Sequence, residues 1–193
     1  MASTRRASIS SSASSAASRG AGADLLETRA ELEELQKLLD RTYEHASPQY
    51  RLIVTPERRL TARQVAALLP GKRFIACATT TPDGAPRVMP LDALFIHGRW
   101  HWTTDAAAAR IAHLRHDPRC SATWFEGDDL MVTVHGRAEL IDAGHPDFEE
   151  LESIWEREEG SRPSSWGPHV FHGRVEPTHM YAYAQHPEKF LDS

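Results

Sequence analysis

Residues 74–104 read FIACATTTPDGAPRVMPLDALFIHGRWHWTT, and the reading of this stretch decides the fold. Phe74 to Thr80 is apolar and β-branched, Pro82-Asp83-Gly84 is a turn signal, and Arg87 to Ile96 reads as the returning strand. His97-Gly98-Arg99 makes the next tight turn, and Trp100 to Thr104 continues the meander. Links this short cannot join parallel strands, so the sheet is predicted to be antiparallel. Asp105 to His116 then switches to a helical pattern, with Asp105 as N-cap, Ile111 and Leu114 facing inward, and Asp117-Pro118 as its stop. Cys120 to Phe125, Leu130 to Leu140 and Val170 to Tyr183 supply further strands, the first two joined by a Gly127-Asp128 turn. A helix over Pro146 to Glu158 interrupts them. Six or seven antiparallel strands with flanking helices predict a closed or nearly closed barrel.

Upstream of the barrel the composition changes twice. Residues 1–23 are almost entirely Ser, Ala, Gly and Arg, which cannot bury enough apolar surface to offset the entropy of ordering, so a solvated tail is expected. From 24 to 45, Leu25, Leu32 and Leu39 recur at seven residues with Leu35 between them, the mark of an amphipathic helix that docks on the barrel or on a partner subunit. Its glutamates lie early and Lys37 and Arg41 late, in keeping with the helix dipole. Residues 46–59, with Pro48 and Pro56, read as a loop. Thr61 starts a short helix that stops at Pro70-Gly71, and the barrel domain is assigned to residues 60–190.

Composition excludes several classes of function. A formal net charge of −5 gives no general attraction to phosphate backbones, so no nucleic-acid partner is expected. The sequence contains no run of about 20 apolar residues and no apolar segment after Arg5-Arg6, so neither membrane insertion nor secretion is predicted. Cys77 and Cys120, the two cysteines, each sit in an apolar stretch as small core residues, which fits a cytoplasmic protein.

The stretch from Phe74 to Leu140 resembles the pyridoxamine 5′-phosphate oxidase-like family of flavin-binding split barrels. The resemblance is carried by Phe74-Ile75-Ala76-Cys77-Ala78-Thr79, Asp83-Gly84-Ala85-Pro86, Arg87-Val88-Met89-Pro90, Thr103-Thr104, Arg110 to Arg119, and Val134-His135-Gly136-Arg137-Ala138-Glu139-Leu140. It implies a split β-barrel and a homodimer with two cofactor sites at the subunit interface. It also implies that Arg87, Val88, Met89 and Pro90 lie along the isoalloxazine and ribityl chain of FMN, with Thr103 and Thr104 near its phosphate. Arg110 stands at the family's phosphate-binding position, where a guanidinium can hold a dianion through paired hydrogen bonds. Ala108 and Ala109 replace a serine and a basic residue usual just before that position, and Met131 stands where a glutamine faces the flavin ring. These departures speak against pyridoxamine phosphate oxidation itself and leave room for weaker FMN binding or for the related deazaflavin, coenzyme F-420.

The implied function is an FMN- or deazaflavin-dependent oxidoreductase acting on a small molecule. The alternatives are a non-enzymatic flavin- or haem-binding module and a cofactor-free dimeric scaffold. No side chain stands out as a catalytic acid or base. His97 with His101, His113 with His116, and His169 with His172 lack Cys or carboxylate neighbours at zinc-like spacing, so no metal site is expected. The tryptophans are read as packing residues, with Trp102 and Trp124 as the candidates for stacking on a cofactor, and the acidic run from Glu149 to Glu159 as a solvated helix face.

Overall fold

Thr28 opens the first helix by a reciprocal cap: its hydroxyl accepts from the Glu31 amide at 3.3 Å, and the Glu31 carboxylate accepts from the Thr28 amide at 2.6 Å. Helix α1 (Arg29–Glu44) buries Leu35, Leu38 and Leu39. It docks on its own barrel, where Thr42 Oγ1 accepts from the Met180 amide at 3.1 Å. The computed structural model describes residues 25–187; the tail at 1–23 and the last residues of the 60–190 assignment lie outside them. Proline acts as a starter in the segment read as loop. Pro48 is the first residue of α2 (Pro48–Ile53), capped by Ser47, and Pro56 opens a 3₁₀ turn, because a first-turn position needs no N–H donor. Helix α3 (Ala62–Leu68) carries a second reciprocal cap from Thr61 and Gln64, and the chain leaves it through Gly71 at φ 69°.

The described residues form six strands: β1 (Arg73–Thr80), β2 (Pro86–Ile96), β3 (Arg99–Asp105), β4 (Arg119–Glu126), β5 (Leu130–Ile141) and β6 (Val170–Ala184). They close an antiparallel barrel in the order β1-β2-β3-β6-β5-β4. The β2–β3 turn puts both His97 (φ 52°) and Gly98 (φ 74°) in the left-handed region, the geometry that matches the twist of a two-residue hairpin. Ile75, Leu91, Ala93, Phe95, Trp100, Val132, Val134 and Val175 belong to the main core. Trp102 and Trp124 belong to it as well, so both are buried in the packing of the barrel. Gly173 lets Trp102 lie flat on β6, since a Cβ there would stand 2.3 Å from its ring.

Two local expectations are corrected. Asp105 is the last residue of β3 and its carboxylate accepts from the Ala107 amide at 2.7 Å, a turn contact; α4 (Ala109–His116) begins later, on Ala108, which has no side chain to cap it. Helix α5 (Phe148–Glu159) starts after Pro146 and covers the outside of β2 and β5 through Leu94, Ile96, Ile141, Phe148, Leu151, Ile154 and Trp155. Its Glu152 is fully buried rather than solvated: Ser164 donates to it through its amide at 3.1 Å and its hydroxyl at 2.5 Å, and His172 Nε2 lies 2.7 Å away.

Candidate cofactor site

The β2–β3 ladder pairs only Ala93–Ile96 with Arg99–Trp102. Beyond it, Pro86 to Asp92 pair with β1 alone, and Thr103 to Asp105 pair with β6 alone. The barrel therefore opens along a seam whose lips are the two stretches carrying Arg87, Val88, Met89, Pro90, Thr103 and Thr104. Unpaired strand edges offer free backbone N–H and C=O groups. Residues 86–90 are exposed throughout, although they lie inside a paired strand.

Register divides these side chains between two faces. Arg87 pairs with Thr79 and Met89 with Cys77, which places them on the face of β1 that turns inward. Val88 and Pro90 pair with Ala78 and Ala76 and turn outward. Thr104 shares the inner face with Trp102 and is buried; Thr103 pairs with His172 on the side that α5 covers. Met131 pairs with Phe125 and Tyr183 on the outer face. That face also carries Phe74, Val88 and Phe125, which are 71%, 61% and 62% exposed.

Helix α4 is tied to the inner side of β1 by a 3.0 Å contact between Thr79 Oγ1 and His113 Nδ1. Arg110 stands in the first turn of this helix, half-buried, near enough to Cys77 for each group to feel the other. Among the described residues Arg110 forms no hydrogen bond or ion pair. Burial lowers its pKa from the ordinary guanidinium value, and Cys77 opposes this. Burial pushes the Cys77 thiol up to about 11, so it is an uncharged thiol at neutral pH. A half-desolvated cation without a counter-ion, at an uncapped helix start, is a site suited to an anion. Arg87 differs: it is exposed and its guanidinium donates to the carbonyl of Pro86 at 2.9 Å.

The structure thus brings Arg87, Met89 and Arg110 toward one end of the barrel with Thr79 and with His113, which the sequence offered only as half of a histidine pair. It sets Val88, Pro90 and Met131 on the outer face and leaves Thr103 and Thr104 contributing backbone. A cavity of about 180 Å³, lined by apolar side chains together with Glu27, Arg157 and Glu158, lies elsewhere, between the entry to α1, α3 and α5, and none of the candidate site residues lines it.

A six-stranded antiparallel barrel that opens between two strands beside a basic helix start defines the split-barrel class. The family model described as pyridoxamine 5′-phosphate oxidase matches residues 61–177, and the chain belongs to that family. Among curated proteins none matches the chain. Of solved structures, the conserved hypothetical protein Rv2991 from Mycobacterium tuberculosis is 22% identical with a TM-score of 0.58, over 72% of this chain and 93% of that one. The flavocytochrome Anf3 from Azotobacter vinelandii is 20% identical with a TM-score of 0.56, over 76% and 74%. A FAD-binding protein from Mesorhizobium loti is 21% identical with a TM-score of 0.50, over 64% and 93%. At these identities the likeness is one of fold.

Proposed function

We propose that the chain binds a phosphate-bearing flavin-type cofactor, FMN or the deazaflavin F-420, along the β2–β3 seam and serves as an oxidoreductase for a small molecule. The observation that carries the reading is Arg110: a half-buried guanidinium with no counter-ion among the described residues, on the helix tied to the inner side of β1 through Thr79 and His113. Membership of the pyridoxamine 5′-phosphate oxidase family supports it, as does the shared fold with a flavocytochrome and a FAD-binding protein.

In this reading Arg110 and the uncapped amides of α4 hold the phosphate, with Arg87 approaching from the facing lip. The exposed backbone of residues 86–90 and the free edge of β3 from Thr103 offer hydrogen bonds to the polar part of the ligand, while Met89 supplies apolar surface. When bound, the cofactor supplies hydride chemistry that no side chain of this site offers, and the protein's part is to position it and exclude water. The outward stripe of Phe74, Val88, Phe125 and Met131 fits a second copy of the chain, which would complete the site from the other side. Two buried thiols, Cys77 and Cys120, with no disulfide between them fit a cytoplasmic setting.

Titration of FMN and of F-420 against the parent, Arg110→Ala and Arg115→Ala tests the reading. Removing a charge-assisted contact to an anion costs about 1.5–3 kcal/mol, roughly ten- to a hundredfold in affinity. The loss is expected in Arg110→Ala alone, since Arg115 is exposed on the same helix and lies over the Phe171 ring instead. Equal affinities in all three proteins would sink the phosphate site.

A further inference from the structure

His135 and His179 are cross-strand partners in the β5–β6 ladder, and both are exposed on the outer face of the barrel. Direct cross-strand neighbours hold their Cβ atoms about 4.5–5.5 Å apart. That spacing lets two imidazoles close on one ion at metal–nitrogen distances of about 2.0–2.1 Å.

Neighbouring hydroxyls determine how the rings are presented. Thr178 has one hydroxyl proton and donates it to the His135 carbonyl at 3.0 Å. Its oxygen also lies 3.1 Å from His179 Nδ1, and with the proton already placed that oxygen must accept. His179 therefore carries its hydrogen on Nδ1 and presents Nε2 as a lone pair. His135 Nδ1 is engaged by Ser121 Oγ at 2.7 Å, which leaves its Nε2 as the outward nitrogen too. A ring anchored through one nitrogen so that the other is aimed at an ion is the arrangement that metal-binding histidines use.

The backbone beneath is held tightly. The ladder slips between His135 and Gly136, and a Cβ on Gly136 would stand 2.1 Å from the Glu176 carbonyl oxygen, so the two strands approach as closely here as glycine allows. Such bulges re-aim side chains beside functional sites. His97, His145 and His172 make ion pairs with carboxylates, whereas among the described residues neither His135 nor His179 does.

We propose that His135 and His179 chelate a divalent transition-metal ion of the class that favours imidazole nitrogen, such as Zn²⁺, Ni²⁺ or Cu²⁺. Among the described residues no group of three or more metal-ligating side chains converges, so the remaining positions on the ion stay open to water or to a ligand from outside the chain. Neither histidine belongs to the seam, although His135 stands on the same outer face of β5 as Met131, four residues along.

Calorimetric titration of the full chain with ZnCl₂ tests it, using the parent, His135→Ala, His179→Ala, and His45→Ala as an exposed histidine outside the pair. The parent is expected to take one ion per chain with micromolar affinity. Because the second ligand binds intramolecularly once the first is engaged, loss of either ring should weaken binding by more than about tenfold. His45→Ala should bind as the parent does. Thermal melts should coincide for all four proteins, because the replaced rings are exposed, and this separates loss of a ligand from loss of the fold. Full affinity in His135→Ala or in His179→Ala, or no binding by the parent, overturns the proposal.

Discussion

His101, His172 and Glu152 show how far a single residue's setting departs from its type. His101 is fully buried with no hydrogen-bond partner on either ring nitrogen among the described residues. Burial holds its pKa well below the ordinary 6.5, and the nearby Arg174, His97, Arg99 and His172 lower it further. Burial also lowers His172, against the opposing pull of Glu152. For Glu152 burial raises the pKa, but the contacts from Ser164 and His172 outweigh it and the net shift is downward. All three groups therefore bind protons more readily in the unfolded chain. Their contribution to stability is complete above pH 6.5, falls as the pH drops below that value through the two histidines, and falls again below 4.5 through Glu152. Melting curves between pH 8 and pH 4 should show this decline, and a flat profile from pH 7 to pH 5 would contradict it. His101→Leu should flatten the upper part of the decline without loss of stability at pH 8, because an apolar group replaces a polar one that has no partner. The acidic run from Glu149 to Glu159 reads as solvent-facing; Glu152 is buried because Ser164 and His172, from two other segments, meet it.

Among the elements, β5 and β6 form the longest ladder of the barrel, and Gly136 sets how close they run. The atom that a Cβ would strike is a backbone carbonyl, which cannot turn aside as a side chain can. Gly136→Ala is therefore expected to destabilise the protein by about 3 kcal/mol or more, the upper range for overpacking. Denaturant unfolding would read this as a lower midpoint at unchanged slope; a midpoint within error of the parent would show that the strands can separate at no cost. The turns were legible in the sequence for the same local reasons: Gly84, Gly98 and Gly127 all take positive φ where turn signals place them. Asp105 was misassigned because an aspartate serves a strand-end turn as readily as a helix start. Pro48 and Pro56 mark breaks in the chain, and only the backbone around them shows that each break is also a start.

At the scale of the molecule, the stripe of leucines on α1 is buried against the chain's own barrel, so it offers no reason for a second subunit. The outer face of β1, β2, β4 and β5 does. Phe74, Val88 and Phe125 are exposed on it, with Met131 paired to Phe125, and fully burying one such side chain is worth about 1.5–3 kcal/mol. In a two-fold dimer each contact occurs twice. The parent is expected to sediment as a dimer at micromolar concentration, and the double variant Phe74→Glu, Phe125→Glu as a folded monomer. A parent that is monomeric, or a variant that stays dimeric, would remove this face from the assembly.

What the sequence by itself determined is whatever a few neighbouring residues decide: the reciprocal caps at Thr28 and Thr61, the hairpin turns, the alternation of the strands, and through them an antiparallel barrel. The family marks add Arg110 as the residue to examine, and it lies in the first turn of α4 beside the opening. Only the tertiary structure decided the pairing of β3 with β6, which leaves the seam open between β2 and β3. It also decided that Thr79 holds α4 through His113, that Glu152 is buried, and that His135 and His179 share a face. These depend on contacts between residues far apart in the chain, where the closing of the barrel, and no local preference, sets which side chains meet.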